Sequence, residues 1–122
     1  MGQHSLSEFL DALEEFDDGD TCFVVEGRRD VAALKDVGVA NVEEVDTNLY
    51  LFSERVAGRY GKAVILTDLD AEGKRLYGKL RAYLSQHGVK VEDKPRDALW
   101  QTELRQVEGL GRYLSCRRLR QV

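Results

Sequence analysis

Two aspartates separated by one residue, Asp68 and Asp70, follow directly on an apolar run, Ala63-Val64-Ile65-Leu66. The run is rich in β-branched residues and reads as a strand buried on both faces. Side chains two apart on a strand share a side, so both carboxylates are expected to address one point in space. At ~4 Å such charges repel by roughly 4 kcal/mol at an effective dielectric of about 20. A fold that holds them together calls for a cation between them. Oxygen donors with no His or Cys nearby point to Mg²⁺, which takes one or two carboxylates and keeps several waters. A third acid, Glu26, closes an earlier apolar stretch, Thr21-Cys22-Phe23-Val24-Val25. If the two strands are neighbours, all three carboxylates stand over one crevice at the carboxyl ends of the strands, where open α/β sheets bind ligands.

The elements that must position these residues are legible in order. Ser5-Leu6-Ser7-Glu8 has the form of a capping box, and Leu6, Phe9, Leu10, Leu13 and Phe16 repeat at helical spacing, which predicts a helix over 5–16. Asp17-Asp18-Gly19-Asp20 lacks the alternating ligands and distal Glu of a calcium loop and reads as a turn. After the first strand, Arg28 opens a helix that turns Val31, Ala32 and Leu34 inward and stops at Gly38. A weak strand over 39–46 follows, then a helix capped by Thr47 or Asn48. The Asp68/Asp70 strand leads into a helix with Leu76, Leu80 and Leu84 on one stripe. Val89-Lys90-Val91-Glu92 alternates as an edge strand. Beyond Pro95, Asp97 is placed to cap a helical extension over 97–120 that uses Leu99, Trp100, Leu104 and Val107. Strand and helix alternate with short connections. The expected fold is therefore a three-layer α/β/α, Rossmann-like sandwich around a four-stranded, mainly parallel sheet, one domain over 1–122 with its core at 20–95.

Composition narrows the class. The chain has 122 residues, 43% hydrophobic and 33% charged, which fits one globular domain rather than a disordered segment. No apolar run approaches the ~20 residues of a membrane span, and the acidic N-terminus does not resemble a signal peptide. Cys22 and Cys116 have no metal-ligand spacing, so reduced thiols and a cytoplasmic location are expected. His4 lies near the terminus and His87 in a turn, and nothing indicates Ser-His or Cys-His catalysis. The net charge of −4 is unevenly distributed. Seven acids and no base occupy the first twenty residues, while Arg112, Arg117, Arg118 and Arg120 close the chain without an acid. Such a tail suits a phosphate backbone, and equally suits a helix C-terminus that its cations complement.

Two stretches taken together resemble the Toprim family: a strand ending in Glu26-Gly27 with Asp30 three residues on, and a strand ending in Asp68-Leu69-Asp70-Ala71-Glu72-Gly73. Over roughly residues 20 to 95 the chain looks most like the small stand-alone archaeal Toprim proteins grouped with the ribonuclease M5-like and primase-like branches. The resemblance implies that Asp68 and Asp70 bind Mg²⁺, with Mn²⁺ able to substitute, and that Glu26 serves as general acid or base and as a further metal ligand. It implies an assisting catalytic role for Asp30, whose other reading is a first-turn acid complementing the helix dipole. Gly27 and Gly73 would let a phosphate approach N–H groups at helix starts. Lys74, with Arg75, is either a phosphate contact or a solvated helix residue, and Glu72 is at most an extra ligand because Ala71 stands where the related motif has arginine. The tyrosine-bearing domain of topoisomerases and the accessory domains of primases have no counterpart here, so strand passage and templated synthesis are not expected of this chain alone.

Two functions follow as expectations. One is Mg²⁺-dependent hydrolysis of phosphodiesters in nucleic acid, structured RNA ahead of DNA, with Arg117, Arg118 and Arg120 gripping the backbone. The other is a non-catalytic module that binds metal and nucleic acid within a larger processing complex. Neither involves a membrane.

Overall fold

Alternation of apolar residues across two central strands sets the architecture. In β1 (Thr21–Val25), Phe23 and Val25 project to one side of the sheet and Cys22 and Val24 to the other; in β3 (Lys62–Ile65), Val64 opposes Ala63 and Ile65. Both faces therefore need a cover, and the chain supplies helices to each. The computed structural model describes residues 2–102. One layer holds α1 (Gly2–Phe16), α2 (Arg28–Asp36) and α5 (Lys94–Trp100), which bring Leu6, Phe9, Leu13, Leu34 and Leu99 onto Phe23 and Val64. The opposite layer holds α3 (Leu49–Ala57) and α4 (Ala71–Gln86), whose Phe52, Val56, Leu80 and Leu84 pack on Val24 and Ile65.

The strands are all parallel, in the order β2-β1-β3-β4, with β2 (Val42–Glu44) and β4 (Lys90–Val91) as short edges. The expected three-layer α/β/α sandwich is thus the one observed. From β1 the chain leaves through α2 on one face, and it returns to β3 through α3 on the other. The two central strands therefore flank the point where the topology switches, and open α/β sheets take ligands at such a point, beyond the carboxyl ends of the strands.

Several local expectations are corrected. Helix α1 starts at Gly2, so Ser5 lies within it and is not its cap. In α2 the buried alanine is Ala33 and Ala32 is exposed, because Asp30, Ala33 and Leu34 form the inward stripe. β2 is only three residues long, and Asn48, not Thr47, caps α3 by accepting from the Leu51 N–H at 3.1 Å. Helix α5 begins at Lys94 with Pro95 in its first turn, where a missing N–H costs nothing, so Asp97 lies inside the helix instead of capping it. Leu104, Val107 and the rest of the expected extension lie outside the described residues.

The Asp17-to-Asp20 turn fastens the amino ends of β1 and β3. Asp20 Oδ1 accepts from the Gly61 N–H at 2.9 Å. Asp18 accepts from Lys62 Nζ at 2.7 Å, from the Thr21 hydroxyl at 2.8 Å and from the Asp20 N–H at 3.0 Å. The Lys62 bond, then that of Thr21, lowers the Asp18 pKa to about 2. A folded-state pKa below the unfolded one gives stability that is fully present above about pH 4 and is lost as pH falls towards about 2. Solvent screening keeps this contribution modest. Urea midpoints measured from about pH 5 down to about pH 2 are expected to fall less steeply in Asp18→Asn than in the parent; identical slopes would remove the clamp from acid stability.

Candidate functional site

The loop that joins β3 to α4 is built around a close backbone approach. β3 ends at Ile65, and Leu66 still donates its N–H to the Val24 carbonyl at 2.8 Å. Thr67 then turns inward, fully buried, and its hydroxyl donates to the Gly73 carbonyl at 2.7 Å. Gly73 packs directly on the Asp68 carbonyl, and a Cβ at Gly73 would overlap that oxygen and its carbon. The glycine is therefore required by this contact. The expected opening for a phosphate at Gly73 is filled by the chain's own Asp68 backbone.

Asp68 and Asp70 accordingly lie beyond the strand, in a loop and at a helix start, and not on one strand face as their spacing predicts. Asp70 caps α4, its Oδ1 accepting from the Gly73 N–H at 2.7 Å. Glu26, directly after β1, reaches across to the neighbouring tip, where its Oε2 accepts from the Asp68 N–H at 2.5 Å. Adjacency of β1 and β3, on which the sequence reading depended, is met, and Glu26 is turned towards the Asp68 loop. The expected meeting of three carboxylates is not: among the described residues, no three His, Cys, Asp or Glu side chains form a group that could hold a metal ion. The reason is local, since Glu26 and Asp70 are each directed at a main-chain N–H group.

Asp30 is only 7% exposed and faces back along α2, where its Oδ2 accepts from the Gly27 N–H at 3.0 Å. This matches the reading of Asp30 as a first-turn acid of α2. The Gly27 and Gly73 N–H groups thus both bond to carboxylates of their own helices, and a phosphate there would have to displace them. Cations occupy the first turns of both helices: Arg28 and Arg29 open α2 in exposed positions, and Lys74 of α4 places its Nζ 4.5 Å from the centre of the Trp100 ring. Glu72 and Arg75 pair with each other at 2.6 Å on the exposed side of α4. Arg117, Arg118 and Arg120 lie outside the described residues.

Sequence reasoning missed Arg96. This guanidinium, 5% exposed, donates through NH1 to the Thr67 carbonyl at 2.8 Å, the Thr67 hydroxyl at 3.1 Å and the Ile65 carbonyl at 3.3 Å, and lies over the Tyr77 ring at 4.5 Å. Burial lowers its pKa, while Tyr77, Asp93 and Glu26 oppose that shift. Arg96 thus seals the end of β3 and places a positive charge that Glu26 senses. One sequence signal was available: Arg96 stands three residues before the apolar Leu99, on the inward stripe of α5. Trp100, read with Leu99 as an apolar position of this helix, is 42% exposed.

Two glycines of α4 separate packing from propensity. Gly78 has nothing near its missing Cβ, so Gly78→Ala is expected to stabilise the protein by about 0.5–1 kcal/mol. Gly73→Ala forces the Asp68 loop to move and is expected to cost about 2 kcal/mol or more. Urea denaturation of both variants checks this, and equal effects would mean that the loop relaxes freely around the added methyl group.

No model of a known protein family matches the chain. Curated relatives include a UPF0292 protein of Methanosarcina barkeri, 38% identical over 94% of this chain and 84% of that protein. A UPF0292 protein of Pyrococcus abyssi is 34% identical over 83% of this chain and 75% of its own length. Among solved structures, a protein from Aquifex aeolicus shares the fold with a TM-score of 0.76 and 28% identity, over 85% of this chain and 96% of that one. These findings correct the resemblance to the Toprim family and its ribonuclease M5-like and primase-like branches: no family model supports it, and the relatives carry another family's name. On the strength of the Methanosarcina match across most of both proteins, the chain belongs to the UPF0292 family.

Proposed function

We propose that this UPF0292 protein is a Mg²⁺-dependent phosphodiesterase acting on nucleic acid in the cytoplasm, with structured RNA as the first substrate to test. The observation that carries the proposal is the Glu26 to Asp68 N–H bond across two central strand tips, at the switch point where α/β sheets take ligands. The donor set fits a hard cation that needs only one or two carboxylates and otherwise keeps water, though not an all-protein cage. Asp68 and Asp70 would hold it. When bound, Mg²⁺ supplies charge neutralisation at the phosphoryl oxygens and a more acidic water.

The chain's own residues do the remaining work. With Oε2 held by the Asp68 N–H, Glu26 is fixed in place, and its Oε1 accepts a proton from the attacking water. The water oxygen bonds to phosphorus as the P–O ester bond breaks, and the proton passes to the leaving oxygen. Arg28, Arg29 and Lys74 orient the phosphate backbone around the crevice, with Arg117, Arg118 and Arg120 extending the contact. No helix among the described residues is long and apolar enough to cross a membrane. The buried thiol of Cys22, pushed up to about 12 by desolvation, is inert and suits a reducing compartment.

A second reading is favoured by one observation: Glu26 and Asp70 each accept from a main-chain N–H, a bond with which a metal would have to compete. In that reading the domain binds nucleic acid, within a larger processing complex, and does not cleave it.

Labelled structured RNA, single-stranded DNA and duplex DNA, incubated with the protein and Mg²⁺ or Mn²⁺, separate the two. Hydrolysis is expected, with a loss of about 10²–10⁴-fold in Glu26→Gln while binding is kept. Binding without cleavage of any substrate, unchanged by Glu26→Gln, would establish the non-catalytic reading instead. Replacing Arg117, Arg118 and Arg120 together by Ala is expected to reduce the slope of log affinity against log salt by about 2 on single strands; an unaltered slope would remove the tail from the interface.

A further inference from the structure

Trp100 and Lys74 form a contact that neither the fold nor the chemistry proposed above explains. Arg96 and Trp100 are four residues apart on α5 and so lie on one side of it. Arg96 grips the Thr67 carbonyl, and Trp100 meets Lys74, one turn into α4 from Asp70. The indole therefore stands beside the 67–73 loop that carries the two aspartates. It is 42% exposed, one of three large hydrophobic side chains so exposed among the described residues, while its neighbour Leu99 is fully buried. Lys74 lies over the ring and keeps a cation within reach of whatever rests against the indole.

We propose that Trp100 and Lys74 make a nucleotide subsite in which an unpaired base takes the place of Lys74 on the indole and the displaced ammonium meets its phosphate. The ligand class is a single-stranded or looped-out nucleotide of a nucleic acid. This rests on the reading of the β1/β3 tips as a phosphodiester site and adds to it where the strand must be unpaired. An aromatic face accepts any base, and the adjacent cation supplies the phosphate contact, so the pair selects for strandedness ahead of sequence. A duplex keeps its bases stacked on one another and offers nothing to the ring.

Trp100 is the only tryptophan of the chain, so its fluorescence reports on this subsite alone. Titration of the full-length protein with unlabelled single-stranded oligonucleotide is expected to quench that emission and to shield it from iodide, whereas duplex of the same sequence leaves it unchanged. Anisotropy of a fluorescein-labelled copy measures binding independently. Trp100→Ala is expected to weaken single-strand binding about tenfold, and Trp100→Phe, which keeps a ring, to restore most of it. Circular dichroism of each variant shows whether the fold is kept. Binding by anisotropy with unquenched emission, and equal affinity in Trp100→Ala, would overturn the subsite and leave the phosphodiester reading standing. No binding by anisotropy at any strandedness would overturn both.

Discussion

The site depends on one constraint, the contact of Gly73 with the Asp68 carbonyl, which lets α4 begin on top of the loop leading into it. From this contact the other features of the loop follow. Thr67 is drawn inward to bond the Gly73 carbonyl, Asp70 is left at the helix start to cap the Gly73 N–H, and the Asp68 N–H is turned outward towards Glu26. A loop folded back on itself in this way presents more main-chain oxygens than its own N–H groups satisfy. The buried Arg96 answers two of them, the Ile65 and Thr67 carbonyls, and its five N–H donors and flat faces suit that task better than the ammonium of a lysine.

The distribution of acids along the chain has a physical division of labour. At the amino ends of the strands Asp18 and Asp20 accept from Lys62 and from backbone N–H groups, which ties the turn before β1 to the start of β3. At the carboxyl ends Glu26, Asp30 and Asp70 accept from backbone N–H groups at the β1 and β3 tips and the starts of α2 and α4. Anions are favoured there because the helix N-termini concentrate unpaired N–H donors. Acids at the two ends of the sheet therefore hold the same pair of strands in register.

Much of this was legible in the sequence, and the limits are equally physical. The strand runs at 21–25 and 62–65, the amphipathic helices and the parallel sheet are local consequences of apolar periodicity, so they could be read. So could the adjacency of Glu26 to the Asp68 loop, since short connections leave few topologies open. What could not be read was direction. Asp68 and Asp70 have the spacing of a strand face, but the strand stops at Ile65, and a tertiary contact at Gly73 decides where each carboxylate points. Arg96 escaped because a charged residue just after proline reads as surface, and only the uncapped carbonyls of a distant loop make its burial favourable. Trp100 shares the apolar helical pattern of Leu99, a pattern that cannot tell the inward edge of a stripe from its rim. The Toprim resemblance rested on short acidic motifs at strand ends, which any switch-point site in an α/β sheet is apt to generate.

That the carboxylates carry main-chain partners bears on how the crevice would receive a ligand. A hydrogen bond from a backbone N–H to Glu26 or Asp70 engages one oxygen and leaves the other directed elsewhere, so the bond orients the group without neutralising it. Arg96 lies behind these anions in a buried position, where its charge is screened less than it would be at the surface. Its charge acts on Glu26 from within the fold. Arg28, Arg29 and Lys74 add exposed positive charge at the first turns of α2 and α4. Acids that each accept from a main-chain N–H are held in place by those bonds, whereas three carboxylates gathered at one point would need an ion between them.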